Sequence, residues 1–258
     1  MLKATYVDHM GSDLSVVNAA RVSFGKKSEF TKECHNCGEP KVSKYEHINL
    51  WECGSCRIDI DQENMKISDS DTKLINYLAK HKHISPFGHA FASFHVKAPI
   101  FVARQLVKHK FLRWNEISRR YVDSKPEFYE PDEWRGKSAD KKQGSEGVVE
   151  LYNVFDKRNP NFLVGETQTH YQKLQHELYQ SLLDAGVCEE QARMVLPQNT
   201  MTEWIWSGSL DALADMCRLR CASDTQYETR IVADQIHSSL SNLFPVSFRA
   251  LMDEDTNV

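Results

Sequence analysis

The sequence predicts an α+β protein. Its helical and extended stretches follow one another without the strand–helix–strand rhythm of a doubly wound sheet, and no glycine-rich phosphate loop joins a strand to a helix. Its 258 residues are enough for a substantial core, and 41% of them are apolar, which excludes a disordered chain. The expected organisation is one domain over 1–258, interrupted by an insert at 31–60 and a polar surface excursion at 132–163.

Residues 1–30 read as a short strand, a turn at Gly11 and a helix starting near Asp13 or Ser15, with Val16, Val17, Ala20 and Val22 along it. After the insert, Asp69 or Asp71 is expected to cap a helix carrying Leu74, Ile75, Leu78 and Ala79. HKHISPFGH follows as a loop rich in imidazoles. Ala90, Ala92, Phe94, Val96 and Ala98 then alternate with Phe91, Ser93, His95 and Lys97, the pattern of a half-buried strand closed by Pro99. Pro99 also suits the first turn of a helix, in which Phe101, Leu106 and Val107 face inward and Arg104, Gln105 and Lys108 lie on another arc.

Within the polar excursion a short helix is expected near Val148 to Val154. From Gln168 to Ala185 apolar residues recur at helical spacing (Tyr171, Leu174, Leu178, Leu182, Ala185), ending at Gly186. A second helix, CEEQARMVLP, stops at Pro197 and carries Arg193. TMTEWIW alternates as a strand with Thr202, Trp204 and Trp206 on one side, and these two indoles are read as core. Ser209 can cap the helix LDALADMCRLR, and Ser223 with Gln226 fits a capping box for a final helix through Leu243. Cys217 and Cys221 are read as filling helix-packing space, and His95 as a satisfied imidazole on its strand.

Several functional classes drop out. MLKATYVDHMGSDL lacks the apolar stretch of a secretory signal, and no run approaches the roughly 20 apolar residues a membrane span needs. A net charge of −4 argues against a dedicated nucleic-acid binder. The cysteine count is odd, at 7, so a reducing, cytoplasmic setting is expected.

Cys34, Cys37, Cys53 and Cys56 form C-x2-C-x15-C-x2-C. Two residues between thiolates let a tight turn aim both sulfurs at one ion, and two such turns complete a tetrahedron around zinc. The 15 residues between the knuckles suit a short hairpin, with Tyr45 to Trp51 supplying its strand. Four thiolates close the coordination sphere, so this zinc ribbon is expected to be structural, stapling a loop too small for its own core. Glu33, Glu39, Glu52, Asp59 and Asp61 around it disfavour a nucleic-acid role.

The densest chemistry lies from Lys108 to Tyr121, KHKFLRWNEISRRY. Lys108, His109, Lys110, Arg113, Arg119 and Arg120 crowd around one acid, Glu116, with Asn115 and Ser118 between them. A charge run is usually a solvated helix face. Here it follows a strongly apolar element and mixes amide, acid and hydroxyl among the cations, which points to a phosphate with a ring read beside it.

The stretch PIFVARQLVKHKFLRWNEISRRY resembles the signature R-H-R-x-x-S-x-N-E-x-S-x-R-Y of the flavin-dependent thymidylate synthases, the ThyX family. MGSDLSVVNAARVSF, HKHISPFGHAFASFHVKAPIFVARQ and ARMVLPQNTMTEWIW, with Arg220 beyond them, look like further blocks of that family in the same order. The resemblance implies a ThyX-like fold of mixed helices on an antiparallel sheet and an enzyme methylating dUMP to dTMP. Methylenetetrahydrofolate would be the carbon donor and FAD, reduced by NADPH, the hydride donor. It also implies a homotetramer with active sites between subunits.

By position, the resemblance places His83, Ser85, Lys108, His109, Lys110, Asn115 and Glu116 at the flavin, with Ser209 and Asp215 near it. Gln105, Lys108, Glu116, Ser118, Arg119, Arg120 and Arg193 would hold the nucleotide. Arg220 would reach the uracil carbonyls and stabilise charge on the ring, with Ser118 as a binding group rather than a nucleophile. The chain departs from the signature with Lys at 108 and 110, Arg113 in place of Ser and Gly88 in place of an acid; Ser209 and Asp215 stand where Asn is common. These departures keep a hydroxymethylating relative, acting on dUMP or dCMP, as the nearest alternative. A zinc-ribbon binding protein on an inactive scaffold is the more distant one.

Overall fold

A computed structural model describes residues 1–31, 42–45, 50–53, 59–60, 66–122, 124–139, 145–149 and 164–253. The first half of the chain gives β1 (Lys3–Met10), α1 (Asp13–Arg21), β2 (Val42–Tyr45), β3 (Leu50–Cys53), β4 (Asp59–Ile60), α2 (Asp69–Lys80), β5 (Phe91–Pro99), α3 (Ile100–Leu106) and β6 (Leu112–Glu116). The second gives β7 (Arg135–Lys137), β8 (Ser145–Val148), α4 (Val164–Asp184), α5 (Glu189–Ala192), β9 (Met201–Ser209), α6 (Leu210–Arg220), α7 (Tyr227–Leu243) and α8 (Ser247–Met252). The fold is α+β, and among the described residues no helix is long and apolar enough to cross a membrane.

The chain divides into two units. The first comprises Met1–Val7, Ser93–Ser207 and Met216–Ile236. Its sheet has the order β1-β5-β9-β6, so the two strongly alternating strands are central and β6 lies at an edge. Phe94, Val96 and Ala98 on β5 are buried, as are Thr202, Trp204 and Trp206 on β9. The two indoles are each 1% exposed. Burying roughly 200 Å² apiece, they contribute about 5 kcal/mol each of transfer free energy. On the other face His95 Nε2 meets Glu203 at 3.0 Å, the satisfied imidazole expected there.

Three expectations in this unit are corrected. In α3 the inward residues are Val102, Ala103 and Leu106, whereas Val107, still in helical conformation as the C-cap, is 46% exposed because it lies about 100° around the helix from Leu106, off that face. In α4 the stripe Tyr171, Leu174 and Leu178 is exposed and Gln172 and Tyr179 are buried. Periodicity locates a stripe on a helix but not the side on which the core lies. Val148 belongs to no helix: it closes the antiparallel β7–β8 hairpin opposite Arg135, with Gly147 at φ +65 ahead of it. Residues 150–154 lie outside the described residues.

The second unit comprises Asp8–Ala92, Gly208–Asp215 and His237–Val258. Gly11 has φ +85 and a Cβ there would stand 2.9 Å from the carbonyl oxygen of His89, so the turn requires glycine. α2 is capped by Ser68, which accepts from the Asp71 amide at 3.1 Å; Asp69 and Asp71 are inside the helix instead. Asp71 accepts from Arg21 at 2.5 Å and 3.0 Å and from Ser28 and Ser68 at 2.9 Å.

The final helix is α8, which follows α7. Asp13 of α1 accepts from the backbone amides of Val246 at 3.0 Å and Ser247 at 2.8 Å, capping α8 from the far end of the sequence. The capping box at Ser223 does not form, because α7 starts at Tyr227. Within the insert, β2, β3 and β4 form a small sheet in which Val42 pairs with Cys53. The hairpin therefore has two strands in place of a single strand through Tyr45 to Trp51. Cys34, Cys37 and Cys56 lie outside the described residues, and of Cys53 only the backbone is described.

Candidate active site

α3 ends in a tight turn through Lys108, His109 and Lys110, and Phe111 at φ 63 swings the chain into β6. Among the described residues β6 is an edge strand beside β9. Lys108 and Lys110 in the turn, and Arg113 and Asn115 two apart on one face of β6, are exposed. Trp114 points the other way. It stacks on Trp204 with centroids 4.2 Å apart and meets Trp206 edge-on at 5.8 Å. The indole N–H donates to Glu116 Oε2 at 3.1 Å, and the Thr202 hydroxyl donates to Oε1 at 2.6 Å. Both oxygens of the single acid in the motif are thus held.

His109 lies edge-on to Trp206 at 6.4 Å, and its Nε2 accepts from Arg220 Nε at 2.9 Å. A guanidinium carries donors alone, so this imidazole nitrogen is unprotonated. Burial lowers Arg220 from its ordinary value, yet a guanidinium remains charged at any working pH. Among the described residues its remaining N–H groups are left for planar, bidentate contacts. Gln105 Nε2 donates to Gln226 Oε1, and Gln105 Oε1 accepts from the Thr229 hydroxyl at 3.2 Å.

Beyond β6, the Ser118 hydroxyl accepts from the Arg120 amide at 3.3 Å. Arg120 reaches Glu190 Oε1 through Nε at 2.6 Å and Nη2 at 2.5 Å. Arg193 donates to the Glu190 carbonyl at 3.4 Å, so Arg120 and Arg193 meet at one residue of α5. Arg119 donates to the Ser124 carbonyl.

The remaining predicted residues belong to the second unit. His83 is exposed, with its ring near Tyr77 at 6.2 Å and His81 at 6.5 Å, and Ser85 opens a short 3-10 turn. Ser209 closes β9, and Asp215 is exposed on α6. A Cβ at Gly88 would meet open space, so the missing acid is not excluded sterically.

The structure adds partners that the motifs did not single out: Trp114 and Thr202 on Glu116, Gln226 and Thr229 on Gln105, and Glu190 on Arg120. Trp114 lies inside the motif and could have been found there. The others sit far along the chain, and although their elements were legible, nothing local pairs them with the motif. Cys217, one turn before Cys221 and close to Arg220 in sequence, is buried. A hydrogen bond with Cys221, and burial, push its thiol well up, so it is no nucleophile. Among the described residues no group of three His, Cys, Asp or Glu side chains gathers to hold a metal.

Exposed cations in a turn and on the edge strand that follows it, beside a half-buried arginine–imidazole pair, are the equipment of an enzyme gripping an anionic, hydrogen-bonding ligand. The model of the family described as thymidylate synthase complementing protein matches residues 5–246. Proteins named flavin-dependent thymidylate synthase are similar throughout. That of Thermus thermophilus is 35% identical over 95% of this chain and 73% of its own length. That of Treponema denticola is 33% identical over 97% and 79%. Among solved structures, a UMP/dUMP methylase, PolB from Streptomyces cacaoi, bound with 5-Br dUMP, has a TM-score of 0.69 at 29% identity, covering 97% of this chain and 94% of that one. The chain therefore belongs to the thymidylate synthase complementing protein family, the flavin-dependent thymidylate synthases, and it is an enzyme.

Proposed function

We propose that this enzyme methylates dUMP to dTMP, with methylenetetrahydrofolate as carbon donor and FAD, reduced by NAD(P)H, as hydride source. The observation that carries this reading is Arg220, held through Nε by His109 and, among the described residues, with the rest of its guanidinium left to meet a pyrimidine. A fixed cation at the uracil carbonyls stabilises the negative charge that develops on the ring as carbon is added. Gln105, Ser118, Arg119, Arg120 and Arg193 grip the nucleotide phosphate and sugar. Glu116, braced at both oxygens, sits at the junction of nucleotide and flavin with Asn115.

The donor set fits FAD. Lys108 and Lys110, exposed on either side of His109, suit its phosphates. By the family resemblance alone, His83, Ser85, Ser209 and Asp215 are further candidates for flavin contacts. Protein side chains here orient and polarise, while the cofactor carries the hard chemistry. The single catalytic domain works in the cytoplasm as a homotetramer with active sites between subunits. Its Cys34, Cys37, Cys53 and Cys56 hold one structural zinc that staples the insert.

Incubation with dUMP and isotopically labelled methylenetetrahydrofolate, read by mass spectrometry, tests the reaction. Labelled dTMP is expected; a hydroxymethyl nucleotide without dTMP would move the enzyme to the alternative that Lys108, Lys110 and Arg113 keep open. A second reading widens the substrate to UMP. It is favoured by a structure of the same Streptomyces methylase bound with 5-Br UMP, with a TM-score of 0.70 at 27% identity. Direct competition between UMP and dUMP decides it. For the zinc, elemental analysis is expected to find one ion per chain, lost when Cys34 is replaced by Ser.

A further inference from the structure

Glu228 of α7 is an acid only 4% exposed. Arg135 of β7 donates to its Oε1 at 2.5 Å, the Tyr129 hydroxyl donates to the same oxygen at 3.4 Å, and Gln226 Nε2 donates to Oε2 at 3.2 Å. An ionised carboxylate can only accept, whereas a primary amide has a donor end and an acceptor end. Glu228 therefore dictates which way Gln226 faces, with its NH2 toward the carboxylate and its carbonyl away. That carbonyl accepts from Gln105 Nε2, and the Thr229 hydroxyl fills a site on Gln105 Oε1. The orientation passes through two amides in series. Among the described residues, one N–H of Gln105 is left to donate to a ligand.

We infer that Glu228 is a positioning residue: through Gln226 it fixes Gln105 as a hydrogen-bond donor toward an acceptor group of the bound nucleotide, with Arg135 as its charge partner. The inference rests on the proposed contact between Gln105 and the nucleotide. An amide free to flip would turn its carbonyl toward the same phosphate or ring oxygen, exchanging attraction for repulsion. The relay also gives the polar excursion a task. Its hairpin carries Arg135 to Glu228, and the same guanidinium lies 4.6 Å from the Tyr227 ring, which holds it in place.

The test uses the FAD-loaded enzyme and Glu228→Gln, a neutral isostere that can donate as well as accept. Calorimetric binding of 5-bromo-dUMP, KM and kcat for dUMP, and the thermal midpoint are read together. The dissociation constant and KM are expected to rise about tenfold, or about 1.4 kcal/mol, with kcat within about twofold. Glu228→Asp, still acceptor-only, should recover most of the affinity even where it lowers the thermal midpoint. Repeating the binding with deoxyuridine identifies the acceptor: an effect that persists assigns a ring carbonyl, and one that vanishes assigns the phosphate. Unchanged affinity in Glu228→Gln overturns the relay, as does affinity that merely tracks the thermal midpoint in both variants. Gln105→Ala, run in parallel, separates the two levels. If it weakens binding while Glu228→Gln does not, the relay alone is wrong; if neither does, the nucleotide contact at Gln105 is wrong as well.

Discussion

Arg220 donates through Nε to Nε2 of His109 across 2.9 Å, and this contact orients the guanidinium and makes that imidazole nitrogen the acceptor. The guanidinium is held in one plane, and the imidazole stays neutral at that nitrogen. Arg220→Lys keeps the charge but loses the fork, and the rate of dTMP formation is expected to fall on the order of a hundredfold or more. His109→Ala leaves the guanidinium in place but unbraced, with an expected loss of about tenfold. Turnover at saturating nucleotide, normalised to bound flavin, checks both; equal rates for parent and Arg220→Lys would remove Arg220 from the chemistry.

Glu116 is braced by the Thr202 hydroxyl and the Trp114 indole. Thr202→Val preserves shape and deletes one donor, while Trp114→Phe keeps a ring against Trp204 and deletes the other. Each hydrogen bond to a charged group contributes about 1.5–3 kcal/mol. Because Glu116 is exposed and water replaces part of each bond, the expected rise in nucleotide KM is about fivefold per variant. Near-unity ratios in both would show that the bracing is incidental.

Arg120 is engaged by Glu190 in an exposed pair that contributes about 0–1 kcal/mol to stability. Its interest lies in competition, since an anionic ligand and Glu190 seek the same guanidinium. Glu190→Gln is expected to leave the thermal midpoint within about 1 °C and to tighten nucleotide binding about two- to threefold. Arg120→Ala should weaken it at least tenfold. Titrations at low and moderate salt measure both effects, and weaker binding in Glu190→Gln would contradict the competition.

Asp71, 2% exposed, is the acid on which the second unit depends. Burial would raise its carboxyl, but hydrogen bonds from Arg21, Ser68 and Ser28 outweigh it and hold the group below the usual carboxylate value of 3.8. A depressed folded value means that the unfolded chain binds the proton first. The stabilisation is therefore complete above about pH 4 and drains away as pH falls further toward the folded value. Asp71→Asn is expected to destabilise by about 3 kcal/mol at neutral pH and to flatten the acid limb of stability against pH. Denaturant melts from pH 3 to 7 test it, and an unchanged acid limb would place the sensitivity elsewhere.

Alternation along β5 and β9, the Gly11 turn and the cation-rich stretch from Lys108 to Tyr121 were all legible in the residues. Each depends on neighbours close in the chain, where periods of two or 3.6 and steric needs act directly. The order of the sequence blocks likewise sufficed to place the chain in its family. Other features required the folded chain. Arg220 meets His109 from 111 residues away, and Asp13 caps α8 from 234 residues away. The apolar stripe of α4 faces outward because the core happens to lie on its other side. Glu228 directs Gln105 only through Gln226 and Arg135, which share no local pattern. A hydrogen bond between distant residues leaves no periodic trace in a sequence; its direction is decided when tertiary packing removes water and obliges each buried polar group to find a partner.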